Sequence, residues 1–293
     1  MLRRIALAIL LVALATPAVA QDKLKVVATF SILADLVNNV GGERVAVATL
    51  VGPNGDAHVY QPTPSDAKTL SEAKLVFANG LGFEGWMGRL VQASGTKAPT
   101  IVATKGVKPR KMEEGGHSET DPHAWQSVAN VKIYVANIRD ALVAADPTGK
   151  ATYEANASAY LAKLDALETQ VKDAIAKIPA DRRRIITTHD AFGYFAAAYG
   201  VAFIAPQGVS TETEPSAKDV AKIFRQITAQ RVPAVFLENI SDDRLMQQIA
   251  RESGAKVGDK LYSDALSKPG AGADTYIAMM QNNIAAFTKA LRE

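Results

Sequence analysis

Residues 147–179 read PTGKATYEANASAYLAKLDALETQVKDAIAKIP. Within this stretch Tyr153, Tyr160, Leu164, Leu167, Val171 and Ile175 recur at intervals of three, four or seven, so they fall on one stripe of a helix. Pro147 suits the first turn of that helix and Pro179 its end. The pattern predicts a helix over 148–178, about 30 residues and roughly 45 Å long at 1.5 Å per residue. Such a helix is too long for one small lobe. It is expected to run along two lobes and join them.

The segments on either side share one alternation. Before the helix, strand-like runs at Leu24–Phe30, Arg44–Val51, Leu75–Ala78 and Thr100–Ala103 alternate with helical patterns. Those patterns cover Ile32–Val40, the stretch from Ser65 or Asp66 to Glu72, and Phe83–Ala93, with a further one at Val128–Ala145. Gly41-Gly42 and Gly52-Pro53-Asn54-Gly55 punctuate them. After the helix, strands at Arg184–Thr188, Val201–Ala205, Ala234–Leu237 and Lys256–Tyr262 alternate with helices at Ala191–Tyr199, Ser216–Gln230, Asp242–Ser253 and Ala273–Leu291. This order predicts an α/β fold of two similar lobes, each a parallel sheet covered by helices. The expected lobes are residues 21–147 and 179–293, joined by 148–178. Lys108–Asp121, reading KPRKMEEGGHSETD, interrupts the alternation and is expected to be a mobile loop.

Residues 1–20 stand apart. Arg3 and Arg4 precede an apolar run from Ile5 to Ala15, and Ala18-Val19-Ala20 offers a small-residue cleavage site, the pattern of a signal peptide. The run is short for a transmembrane anchor, and polar Gln21-Asp22-Lys23 follows at once. The whole chain of 293 residues has 33 Lys and Arg against 30 Asp and Glu, a net charge of +3. Without Arg3 and Arg4 the basic count is 31 and the net charge +1. The expected product is soluble, periplasmic and nearly neutral. It has no basic cluster interleaved with aromatic residues, which argues against a nucleic-acid partner. Zero cysteine excludes disulfides, thiolate metal sites, iron–sulfur clusters and thiol nucleophiles, and leaves no attachment point for a lipid.

In open α/β sheets, ligands bind beyond the carboxyl ends of the strands. Four residues able to ligate a metal fall there. His58 lies in GDAHVYQPTPSD (55–66), after the strand ending at Val51. His123 lies in Asp121-Pro122-His123-Ala124-Trp125, ahead of a helix, and His189 closes Ile185-Ile186-Thr187-Thr188. Asp264 follows Leu261-Tyr262. Three of the chain's 4 histidines are in this group, and each half supplies two members. No local spacing such as His-x-x-x-His ties them together, so their convergence rests on the fold. Alone, a loop histidine is ordinarily a surface or hydrogen-bonding residue, and a strand-end Asp a helix cap.

Several motifs then occur in order. They are Thr29-Phe30-Ser31-Ile32, Asp56-Ala57-His58-Val59-Tyr60 with Pro62-Thr63-Pro64-Ser65-Asp66, and Asp121-Pro122-His123-Ala124-Trp125. Thr188-His189-Asp190-Ala191-Phe192-Gly193-Tyr194-Phe195 and Tyr262-Ser263-Asp264-Ala265-Leu266 follow. Together they resemble the periplasmic metal-binding receptors of zinc and manganese ABC transporters, the zinc-uptake receptors in particular, along essentially the whole mature chain. The resemblance implies a metal site in the cleft between the lobes, with His58, His123, His189 and Asp264 as ligands by position. It implies a non-enzymatic monomer with a membrane ABC permease as partner and a metallochaperone as a further one. The long His-rich acidic loop of many zinc receptors is reduced here to Glu113, Glu114, His117, Glu119 and Asp121. His117 therefore stands either as a capture residue or as a solvated loop residue. The cysteine pair of some zinc members is absent.

Three neutral imidazoles and one carboxylate make a nitrogen-rich site that suits zinc better than manganese or magnesium. In the manganese receptors of the resembling family a Glu commonly stands where His189 does, and members with three His and one Asp hold either ion, so manganese is the alternative. Each ligating His needs an acceptor at its other ring nitrogen. Glu238 is the expected one, with Asp66 and Asp190 also near ligands. Trp125, Phe192 and Tyr194 are expected to keep the cleft dry. A secreted zinc hydrolase is a rival class, but the chain has no His-Glu-x-x-His helix, Gly-x-Ser-x-Gly turn or Gly-rich phosphate loop. Four protein ligands would also leave little room for activated water. A receptor for an organic solute or a metal chelate would need a larger cavity, and an adhesive role belongs to some relatives.

Overall fold

The computed structural model describes residues 22–114, 117–230, 232 and 234–292. The expected signal peptide, residues 1–20, lies outside the described residues. The first lobe contains β1 (Leu24–Phe30), α1 (Ser31–Gly41), β2 (Val45–Val51), α2 (Pro64–Glu72), β3 (Leu75–Ala78), α3 (Met87–Ser94) and β4 (Thr100–Val102). Its strands are parallel in the order β2-β1-β3-β4. Val26 to Phe30 are all buried, as befits a central strand covered on both faces. A hairpin, β5 (Arg110–Glu114) and β6 (His117–Asp121), leads into α4 (Val128–Ala145) and then into α5 (Lys150–Ala176).

The second lobe repeats the plan with β7 (Arg184–Ile186), α6 (Gly193–Tyr199), β8 (Ala202–Ile204), α7 (Ala217–Gln230), β9 (Ala234–Val235), α8 (Arg244–Ser253) and β10 (Lys256–Val257). These strands are parallel in the order β10-β9-β7-β8. In each sheet the order reverses between two neighbouring strands, β1 and β3 in one and β7 and β9 in the other, which opens a crevice at their carboxyl ends. The last helix, α9 (Tyr276–Arg292), returns to the first lobe, where Tyr276 N donates to Asp35 Oδ2 at 2.9 Å.

The helix α5 has 27 residues, about 40 Å. It buries Tyr153, Ala157, Tyr160, Leu164, Leu167, Val171 and Ile175, the predicted stripe with one alanine added. Pro147 precedes it by one short turn in which Asp146 accepts from Gly149 N. This stripe packs against α1, α4, α6 and α9. One apolar cluster consequently runs from Val26 through α5 to Leu291 and includes residues of both lobes. A smaller cluster of Ile186, Ile223, Ile227, Val235, Met246 and Ile249 fills the space beneath α7 and α8.

Three local expectations are corrected. Lys108–Asp121 is largely the β5–β6 hairpin, registered from Arg110↔Asp121 to Glu114↔His117. Polar residues on both faces of its strands hide the alternation that announces a half-buried strand. The helix expected from Phe83 starts at Met87, because Gly80, Leu81 and Gly82 adopt φ of +84°, +57° and +87° and turn the chain first. The last strand is only two residues long, and Leu261 rejoins the sheet as an isolated bridge to Glu238. Elsewhere the predicted elements are present with ends shifted by a few residues.

The buried stripe makes a stability prediction. Leu164→Ala should cost about 2–5 kcal/mol, since it removes a fully buried side chain at the junction of several helices. Urea denaturation is expected to show a lowered midpoint, with exposed Lys163→Ala close to the parent as the control.

Candidate metal centre

Two ligand candidates come from the first lobe, and both follow an Asp-x-His turn. Asp56 Oδ1 accepts from His58 N at 2.9 Å, and Asp121 Oδ1 accepts from His123 N at 2.9 Å. The carbonyl before each histidine is also held. Trp86 Nε1 donates to Ala57 O at 2.8 Å, and Asn79 Nδ2 donates to Pro122 O at 2.9 Å. Asn79 is fixed in turn by Tyr134, whose hydroxyl donates to its Oδ1 at 2.6 Å. Glu84 accepts from Asn79 N at 2.7 Å, Gly80 N at 3.1 Å and Thr29 Oγ1 at 2.6 Å, while its burial pushes the carboxyl up from its ordinary range. The polar network under His123 is thus buried and hydrogen-bonded.

The other two come from the second lobe. His189 and Glu238 lie beyond β7 and β9, at the point where strand order reverses. Glu238 Oε1 accepts from Thr188 N at 2.7 Å and His189 N at 3.0 Å, which ties the two strand ends together. Asp264 sits in a loop that the first lobe grips. Ser263 O accepts from Trp125 Nε1 at 2.8 Å and Gln126 Nε2 at 2.7 Å, and Leu266 N donates to Ser31 Oγ at 2.9 Å.

The four side chains converge, with ligating atoms all within 4.8 Å of one another. His58 Nε2 is 3.2 Å from His123 Nε2 and 3.2 Å from Asp264 Oδ2. His189 Nε2 is 3.1 Å from Asp264 Oδ2, and His123 Nε2 is 3.6 Å from Asp264 Oδ1, a buried oxygen with no hydrogen-bond partner. A tetrahedron with metal–ligand bonds of about 2.0–2.1 Å has edges of roughly 3.3 Å, so these separations suit a small dication. The outer ring nitrogens meet carboxylates: His123 Nδ1 is 2.9 Å from Asp121 Oδ1, and His189 Nδ1 is 2.6 Å from Glu238 Oε2. Such contacts orient an imidazole and strengthen its donor nitrogen. His123, His189 and Asp264 are 0% exposed and His58 is 7% exposed. His58 opens onto a cavity of about 640 Å³ between the hairpin and residues 209–212.

Charge and burial set how tightly each ring holds a proton. Burial opposes a proton on His123, but Asp264 and Asp121 outweigh it and hold the imidazole at about 9. Burial likewise opposes a proton on His189, and Glu238 with Asp264 holds that ring well above its ordinary value. Burial pushes His58 down, helped by repulsion from the other two rings. Burial would raise Asp264, yet His123 and His189 hold it well below the usual carboxylate range. Both carboxylate-backed imidazoles thus hold a proton more tightly than a free ring, and an ion that needs their lone pairs competes with it.

Sequence reasoning found the four convergent residues and Glu238, but it missed others. Asp121 supports His123, and the repeated Asp-x-His spacing was the available signal. Asp66 instead caps α2, accepting from Thr63 N at 2.6 Å and Tyr60 hydroxyl at 2.9 Å. Asp190 is half-buried, and burial followed by the charge of Asp121 pushes its carboxyl up. Trp125 does wall the site, with its ring 5.3 Å from that of His123. Phe83, not foreseen, packs edge-on 4.8 Å from His58. Phe192 stacks on Phe203 at 4.8 Å, and Tyr194 faces Arg110. His117 begins β6, and only its backbone is described.

Two α/β lobes joined by one helix, with a buried cation site between them, define a class of metal receptor. The family model for the periplasmic component A of the zinc-uptake complex matches residues 26–290. The chain belongs to this family: it is a substrate-binding protein of a metal ABC transporter, not an enzyme. The manganese-binding lipoprotein MntA of Halalkalibacterium halodurans is 36% identical over 273 residues, 93% of this chain and 90% of that one. The iron-binding protein YfeA of Yersinia pestis is 34% identical over 274 residues, 93% and 88% of the two chains. The solved structure of the periplasmic zinc binding protein TroA from Treponema pallidum is similar with a TM-score of 0.88 at 30% identity, covering 93% of this chain and 100% of that one.

Two predictions follow from the electrostatics. Since His123 is protonated below about 9 and His189 well above its ordinary range, a bound dication should displace about two protons near neutral pH. Affinity should then fall as pH falls, by ~10⁴-fold between pH 7.5 and 5.5, since each of two protons costs about tenfold per pH unit. Calorimetry in buffers of different ionisation enthalpy reads both, and a pH-independent affinity would contradict the ligand set. Glu238→Gln removes the carboxylate behind His189 and should weaken binding by about 10–100-fold, measured by competition with a chelator.

Proposed function

We propose that the chain is a periplasmic receptor that binds a free zinc ion through His58, His123, His189 and Asp264 and delivers it to the permease of an ABC uptake transporter. The observation that carries this reading is the meeting of three imidazoles and one carboxylate, two from each lobe, with ligating atoms within 4.8 Å. The donor set is nitrogen-rich and closed, which favours zinc over harder ions and leaves no evident place for an activated water. Glu238 and Asp121 orient two of the rings, and His58 faces the cavity through which the ion enters. His117 takes no part in the ligand set in this reading.

Manganese is the second reading. The curated relatives named MntA and PsaA are a manganese-binding lipoprotein and a manganese transporter component at 36% and 34% identity, and YfeA is named for iron. Nitrogen sites bind zinc ahead of manganese, so a manganese receptor with this donor set would depend on which ion is available. A leader removed after Ala20 would release residues 21–293 to the periplasm. The chain has no cysteine to carry a lipid, and no described helix is long and apolar enough to cross a membrane. The mature receptor acts as a monomer of two lobes, 21–147 and 179–293, with the permease as its main partner and a metallochaperone as a further one.

Native mass spectrometry with elemental analysis, on protein purified without added metal, tests the assignment. The expected result is one zinc per chain with no additional organic mass, lost in His189→Ala. Manganese in its place selects the second reading. A bound organic chelate, or full occupancy in His189→Ala, overturns the ligand assignment.

A further inference from the structure

Arg110 is outside the ligand set, yet it stands where the lobes meet. It opens the hairpin opposite Asp121, and its Nε lies 3.6 Å from Asp121 Oδ2. Both atoms are buried and neither has a hydrogen-bond partner. The guanidinium carbon is 5.7 Å from the centre of the Tyr194 ring, and Arg110 N donates to the Tyr194 hydroxyl at 3.0 Å. Tyr194 and Gly193 begin α6, in the other lobe. A Cβ on Gly193 would lie 2.5 Å from Asp121 Oδ2 and 3.2 Å from Arg110 Nε and Nη2. A residue without a side chain is what lets the hairpin approach α6 this closely.

The charges at this contact belong to both lobes. Asp121 supports His123 in the first, and Asp190 adjoins His189 in the second. Asp190 feels the negative charge of Asp121 and the opposing positive charge of Arg110. Without the cation, the like charges of Asp121 and Asp190 would act on each other across the boundary with less compensation. Arginine suits the position better than lysine, because its plane can stack on Tyr194 while its fork addresses a carboxylate.

We propose that Arg110 is a positioning residue for metal retention, holding Asp121 of the first lobe against Tyr194 of the second and offsetting the charge of Asp190, and so keeping His123 and His189 at ligating separation. The ring centres of those histidines are 5.3 Å apart. This rests on the ligand assignment above.

The test loads the full mature chain with zinc ion alone, with manganese ion in parallel, and follows release to excess EDTA. Arg110→Met should release metal about tenfold faster or more, the usual scale for residues that orient ligands. Arg110→Lys should fall between it and the parent, and it gives the same comparison if Arg110→Met does not fold. Adding Asp190→Asn to Arg110→Met should restore slow release, because it removes the like charge. Unchanged release in Arg110→Met overturns the proposal. So does fast release that Asp190→Asn fails to correct, since that is the mark of lost packing. A parent chain that holds neither ion would instead sink the ligand assignment, leaving the role of Arg110 as a separate matter.

Discussion

Three buried carboxylates touch the rings of His58, His123 and His189. Asp264, Asp121 and Glu238 are all 0% exposed, and Arg110 supplies one positive charge beside them. Buried negative charge of that kind calls for positive charge close by. The proton affinity that these carboxylates lend His123 and His189 is one source of it, and a bound dication would be another. The pocket thus favours positive charge before it favours any particular element. Ring chemistry then narrows the choice among dications, because imidazole nitrogen favours the later first-row metals.

The fold exists to bring those groups together. No single lobe holds the set, since each contributes two of the four converging side chains, His123 from beyond the hairpin rather than from the sheet. The strand-order reversal between β7 and β9 puts Glu238 against the backbone of His189, and the Ser263 carbonyl reaches across to Trp125 and Gln126. Buried hydrogen bonds of this kind are costly to leave half-made, so they fix the position of each ligand within narrow bounds.

Much of this was legible in the residues alone. The stripe from Tyr153 to Ile175 announced the long helix because a helix packed on one side must keep its apolar residues in phase. The four side chains were legible as chemistry-bearing residues at strand ends, but their convergence was not, since 65 to 75 residues separate each from the next. The hairpin escaped notice because strands that are polar on both faces show no periodicity of burial. Asp121 and Phe83 escaped for a related reason: an acid near a histidine and an aromatic in a loop are common, and only tertiary proximity to His123 and His58 gives them a role. Phe192 and Tyr194 were adjacent to a ligand in the chain, which does not make them adjacent in space.

The apolar cluster that runs unbroken from the first lobe through α5 into the second has a mechanical consequence. Many two-part receptors swing on a thin hinge, and thermal motion alone lets them gape and empty. Here a wide gape would expose apolar surface along the whole spine, so parting the lobes carries a hydrophobic cost that a thin hinge would not.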